Sequence, residues 1–173
     1  MTESFPSQTA RRFADKTTLD LNEIVQILPH RYPFLMLDRV VDIKRRKRLV
    51  AVKNVTTNEA PVAGYFPGAP VMPSTLIVEA MAQAGGILLL LEVDDPKTKL
   101  ILFTGIEDAK FWRPVVPGDE LRVVAEPTAW RTAAVRMNGS AFVGEEQVAQ
   151  AIVSCMLVDR SRLAGIPSGE SAE

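Results

Sequence analysis

Leu19, Leu21, Ile24, Val25 and Leu28 recur at three- and four-residue intervals and stop at Pro29, a spacing that predicts a short first helix with one apolar face. After P-H-R-Y-P-F the period changes. Residues 35–43 and 48–55 are rich in β-branched side chains and flank the charged run 44–47, the pattern of two strands joined as a hairpin. The stretch 60–73 contains Pro61, Pro67, Pro70 and Pro73 with Gly64 and Gly68, and predicts irregular loop. Residues 71–91 are then apolar almost throughout, which predicts one long helix buried on nearly all faces. Pro73 suits its first turn, and Ser74 or Thr75 can help satisfy its early backbone donors. Four more extended runs follow at 100–111, 121–126, 132–142 and 147–158, with Pro117-Gly118-Asp119 and Asn138-Gly139 as turn formers.

The sum is α+β: one short helix, one long helix and about six strands in an antiparallel sheet. A single buried helix requires a sheet curved around it, since a flat sheet covers one face only. Residues 1–17 and 161–173 are polar and lack apolar periodicity, so they are expected to be flexible tails on a single domain at 18–160. The N-terminus has no apolar signal segment, and with one cysteine this fits a reducing, cytoplasmic setting. The apolar run 71–91 has the length of a membrane span, but Glu79 at its centre makes insertion costly and favours a buried helix in a soluble protein.

Composition narrows the chemistry. Lys and Arg number 20 against 21 Asp and Glu, so the net charge of −1 gives no basic field for nucleic acid. One Cys (Cys155) and one His (His30) exclude an internal disulfide and a Cys/His zinc site. Neither a G-x-G-x-x-G nor a P-loop signature occurs, so no nucleotide site is signalled. No cofactor is expected. Glu79 is a candidate site residue, because a buried carboxyl with no basic residue within a helical turn is costly and such groups cluster at functional sites. His30 in its proline-flanked corner fits a satisfied structural histidine, and Cys155 in A-I-V-S-C-M-L-V fits a small core hydrophobe. The run 44–48, K-R-R-K-R, fits a solvated turn, with docking of an acidic carrier protein as the alternative and nucleic acid a distant third.

Three motifs taken together, P-H-R-Y-P-F-L-M-L-D-R, G-Y-F-P-G-A-P-V-M-P-S-T-L-I-V-E-A-M-A-Q and F-W-R-P-V-V-P-G-D-E-L, resemble the FabZ-type 3-hydroxyacyl-acyl-carrier-protein dehydratases from about Leu19 to Val158. The resemblance implies the hot-dog fold, a long central helix wrapped by a curved antiparallel sheet. It also implies paired protomers, as a homodimer or a trimer of dimers, with an acyl tunnel at their interface and acyl-carrier protein or an acyl thioester as partner. In that family a His and a Glu from different protomers face each other across the tunnel and remove water from a 3-hydroxyacyl thioester. Carried over by position, the acid is Glu79, the oxyanion amides are those of Ser74 and Thr75, and the base position is Tyr65. Phe66, Gly68, Met72, Pro73 and Gln83 are the remaining substrate-binding candidates by the same correspondence.

Two positions depart from the family pattern, which has G-H-F-P-G where this chain has G-Y-F-P-G, and usually Gly where this chain has Ser74. A phenol with a reference pKa of about 10 is a poor proton acceptor at pH 7, and losing a positioned base typically costs about 10² to 10⁴ in rate. The expectation is therefore an acyl-thioester-binding protein whose dehydratase activity as a homodimer is impaired or absent. An active dehydratase and a non-catalytic subunit that pairs with a His-bearing homologue stand as alternatives.

Overall fold

In the computed structural model, which describes residues 12–66 and 68–163, Asp20 opens the first helix, α1 (Leu21–Ile27). Its carboxylate accepts from the Glu23 N–H at 2.8 Å while the Glu23 side chain accepts from the Asp20 N–H at 3.2 Å. Two donors that the helix leaves open are thus met reciprocally. The expected tail segments 1–11 and 164–173 lie outside the described residues. Within 12–17, however, Phe13 is buried, so packing begins before the polar composition of this stretch suggests.

Six strands form one antiparallel sheet: β1 (Arg39–Lys44), β2 (Arg48–Asn54), β3 (Lys99–Phe111), β4 (Glu120–Arg131), β5 (Ala134–Val143) and β6 (Glu146–Asp159). Their order is β1-β2-β4-β5-β6-β3, which leaves β1 and β3 at the edges. Between β2 and β3 lie α2 (Ala60–Tyr65) and the long helix α3 (Ser74–Leu90). Helix α3 packs against β2, β3, β4, β5 and β6, so the sheet curves around it as a nearly all-apolar helix requires. Met81, Ile87, Leu88, Leu89 and Leu90 of α3 are buried with Leu49, Leu121, Met137 and Val153 of the sheet.

Four expectations are corrected. The proline-rich stretch 60–73 holds a helical turn, α2, because Pro61 falls in its first turn, where a missing N–H does no harm. The strand expected from residue 35 starts at Arg39, since the Met36 N–H bonds a side chain of α3 instead of a neighbouring strand. Asn138-Gly139 is interior to β5 and makes no turn. A Cβ at Gly139 would lie 2.9 Å from the Met81 Cβ, so this glycine is the point of close approach between sheet and helix. Neither Ser74 nor Thr75 caps α3 by its side chain, and Pro73 takes the N-cap position.

The basic hairpin run is also largely engaged. Arg45 pairs with Glu92 at 2.9 Å and reaches the Leu91 carbonyl at the end of α3, Arg46 lies over the Trp130 ring at 5.1 Å, and Arg48 pairs with Asp42 at 3.0 Å. These guanidiniums tie the β1-β2 turn to the protein's own surface.

Candidate active site

Glu79 and Gln83 stand one turn apart on α3 and so share a face. Gln83 is 2% exposed. Its Nε2 donates to the Phe34 carbonyl and to Glu79 Oε1, both at 2.8 Å, and its Oε1 accepts from the Met36 N–H at 2.9 Å. One buried amide thereby pins the segment after P-H-R-Y-P onto α3 and fixes the Glu79 carboxyl.

The same segment is held from its other side by Arg31. Its Nη1 donates to the carbonyls of Leu28 and His30 at 2.9 and 2.7 Å, and its Nη2 donates to that of Val25 at 2.9 Å. These acceptors include carbonyls that α1 leaves open at its C-terminal end. The Tyr32–Pro33 peptide is cis.

The result is a pairing that linear sequence does not show. His30 Nε2 lies 3.6 Å from Glu79 Oε1, with the two side chains 23% and 11% exposed. The expectation that His30 is a satisfied structural residue is overturned, because its Nδ1 is buried with no hydrogen-bond partner among the described residues. An unpaired buried polar atom costs about 1–3 kcal/mol, which a purely structural residue has no reason to retain. Burial pushes the imidazole below its ordinary pKa, the Glu79 charge pulls it back up, and the neighbouring Arg31 charge adds to the lowering. His30 is therefore neutral near pH 7.

His30, Glu79 and Gln83 open onto a cavity of about 250 Å³ walled by Phe34, Ile101, Leu102, Phe103 and Cys155. Cys155 lies on this wall, where burial first and then the Glu79 charge push its thiol up to about 12. It is present as the neutral thiol, inert toward electrophiles.

Tyr65, Phe66, Met72 and Ser74 line a different cavity, of about 460 Å³, together with Phe111 and Trp112. Helix α2 presents Tyr65 at its last position, with the ring centroid 4.4 Å from that of Phe66. The buried Lys53 pairs with Glu59 at 2.8 Å and so fixes the residue that precedes α2. The N–H groups of Leu76 and Ile77 both donate to the Pro73 carbonyl, at 2.9 and 3.3 Å. Those of Ser74 and Thr75 thus precede the first intrahelical bonds of α3, at the positive end of its dipole. Pro73 is buried, Thr75 is exposed, and Gly68 is exposed with φ +84°.

One protomer therefore brings Glu79, Gln83 and His30 together and places Tyr65, Phe66, Met72 and Ser74 elsewhere. Ser74 and Glu79 are five residues apart, about 140° around the helix, so they face different sides. Of the site residues, His30 escaped the sequence. Its contact with Glu79 depends on where the chain returns over α3, and the signal, two polar residues at i and i+4 on an apolar helix, marks only the α3 side.

Chemically, a carboxyl and a neutral imidazole side by side on an apolar cavity can take up and give back a proton beside whatever apolar group fills it. Residues 28–152 match the FabA-like domain. The 3-hydroxyacyl-[acyl-carrier-protein] dehydratase FabZ of Koribacter versatilis is 54% identical over 145 residues, which are 84% of this chain and 93% of the relative. The chain belongs to the FabZ family of 3-hydroxyacyl-acyl-carrier-protein dehydratases. FabZ of Geobacter metallireducens is 44% identical over 149 residues, covering 86% of this chain and 99% of that one. Among solved structures, the dehydratase heterocomplex ApeI:P from Xenorhabdus doucetiae superposes with a TM-score of 0.70 at 15% identity, over 82% of this chain and 94% of that one. The chain thus has the hot-dog fold implied by its motifs. No helix among the described residues is long and apolar enough to cross a membrane.

Proposed function

We propose that this FabZ-family protein binds 3-hydroxyacyl and enoyl thioesters of acyl-carrier protein and interconverts them by loss and gain of water, more slowly than a relative with His at the position of Tyr65. The observation that carries this reading is the Glu79 carboxyl, held by Gln83 at 2.8 Å on the wall of an apolar cavity. Such a carboxyl is suited to a proton donor's task beside an apolar space. Tyr65, a phenol, is ill suited to accept the proton from the carbon next to the thioester carbonyl.

A full site needs two protomers. The two cavities lie toward opposite ends of edge strand β3, one touching Leu102 and Phe103 and the other Phe111, about 20–25 Å apart, since the two bulges of β3 leave only six or seven ladder steps of β6 between them. If two β3 edges pair antiparallel about a two-fold axis near Ile106, the Glu79 cavity of each protomer meets the Tyr65 cavity of its partner. Exposed Leu102, Phe103, Ile106, Phe111 and Trp112 on and beside this edge support that pairing, since an exposed apolar edge strand invites a second copy. Ile106→Asp is expected to convert the dimer to monomer in sedimentation velocity and to lower turnover with it. A monomeric wild type, or a fully active monomeric variant, contradicts this arrangement.

The function itself is tested by hydration of a crotonyl thioester on acyl-carrier protein, followed by loss of enoyl absorbance, beside a His-bearing relative under the same conditions. Turnover at least about 10²-fold below the relative is expected. A protein that neither turns over nor binds the thioester sinks the proposal.

A further inference from the structure

Beyond the Glu79 carboxyl, the same cavity contains a second group able to move protons, and neither the motifs nor the family correspondence assigns it a role. We infer that His30 is the catalytic base of this protein, taking the proton from the substrate carbon while Glu79 of the same protomer protonates the departing hydroxyl. This rests on the dehydratase reading and deepens it, since it names the group that supports turnover where Tyr65 does not.

The geometry supports it in three ways. His30 Nε2 and Glu79 Oε1 are 3.6 Å apart on one wall of the cavity. The hydrogen and hydroxyl lost in the reaction leave adjacent carbons, so an acceptor and a donor a few ångströms apart can serve both from one side. The imidazole is also held rather than loose, by the Arg31 bond to its own carbonyl and by the Phe34 ring stacked at 6.1 Å and 23°. Finally, Nε2 is the ring nitrogen that faces Glu79, so it is the one that accepts, with the neutral ring's own proton on Nδ1.

The step balances on the pair alone. The step requires one transferable proton on the pair, carried by Glu79. Nε2 accepts the proton from carbon 2, the electrons of that C–H bond form the carbon 2–carbon 3 double bond by way of an enolate-like oxygen, and the hydroxyl leaves carbon 3 with the Glu79 proton as water. Transfer of the new imidazolium proton to Glu79 across the short gap restores the starting state. The groups facing His30 are Glu79 from α3 and Cys155 from β6, with Arg31 beside it in the chain. Burial and Arg31 keep the imidazole neutral before the reaction, and the Glu79 charge stabilises it once protonated. The rate is therefore highest where the pair carries one proton, and falls on either side with limbs that belong to the pair.

The test uses crotonyl-acyl-carrier-protein hydration by the dimeric protein and its His30→Asn, His30→Phe and His30→Ala variants, with melting temperatures and crotonyl-thioester binding measured on each. Expected are kcat losses of about 10²-fold or more at little change in KM, loss of the acid limb of the pH profile, and partial recovery of His30→Ala by added imidazole. His30 variants with wild-type kcat, in a protein that Glu79→Gln inactivates, overturn the inference and leave the dehydratase reading standing. Loss of kcat with a lowered melting temperature, an unchanged pH profile and no imidazole recovery also overturns it, by assigning His30 a structural role. A rate insensitive to Glu79→Gln overturns the dehydratase reading itself.

Discussion

Tyr65→His is expected to raise the hydration rate of a crotonyl thioester by about 10²-fold, toward that of a relative with His at this position, because it adds a base beside the N-terminus of α3 to the slower route through His30. About one phenol in a thousand is ionised at pH 7 from its reference pKa, whereas a neutral imidazole is the major form of histidine there. The substitution is sterically mild. Tyr65 is 46% exposed at the end of α2, so a smaller ring there leaves no buried void. Ser74, the first residue of α3, borders the same cavity, so a base introduced at 65 acts beside the helix N-terminus proposed to hold the enolate-like oxygen. The measurement is steady-state hydration at pH 7 with both proteins dimeric. An unchanged rate, with an unchanged melting temperature, shows that position 65 does not limit turnover and removes the phenol as the cause of slow activity.

The strands were legible because their chemistry is local: β-branched runs at 48–54 and 147–158 can do little else beside turn formers. The long helix was legible for the opposite reason, a continuous apolar run too long for a strand. What escaped depended on contacts distant in sequence. Asn138-Gly139 has turn chemistry, yet Gly139 is spent on the approach of β5 to Met81. His30 and Glu79 are 49 positions apart, and the hydrogen bonds of Gln83 to Phe34 and Met36, with those of Arg31 to Val25, Leu28 and His30, bring the first onto the second. Tyr65 and Glu79, by contrast, were singled out from the motifs together, while one protomer separates them into two cavities. In the proposed arrangement their relation is a property of the dimer, which no local pattern encodes.

Glu79→Gln is the complementary expectation, a loss of turnover of about 10²- to 10⁴-fold with thioester binding retained. Glutamine keeps the shape of the carboxyl, and its amide oxygen can still accept from Gln83 Nε2, so the segment 34–36 remains fastened to α3. The polar contact that organises the wall survives. What disappears is the proton for the departing hydroxyl and the charge that faces the His30 imidazolium. A stability change within about 1 kcal/mol and an unchanged dimer are expected, which separates lost chemistry from lost fold. Because Glu79 and His30 exchange one proton between them, their effects should not add: the Glu79→Gln, His30→Asn double variant is expected to be no slower than the slower single variant by more than a few-fold. Multiplying losses in the double variant show two groups acting independently, and Glu79 then retains its donor role while the shared proton is ruled out.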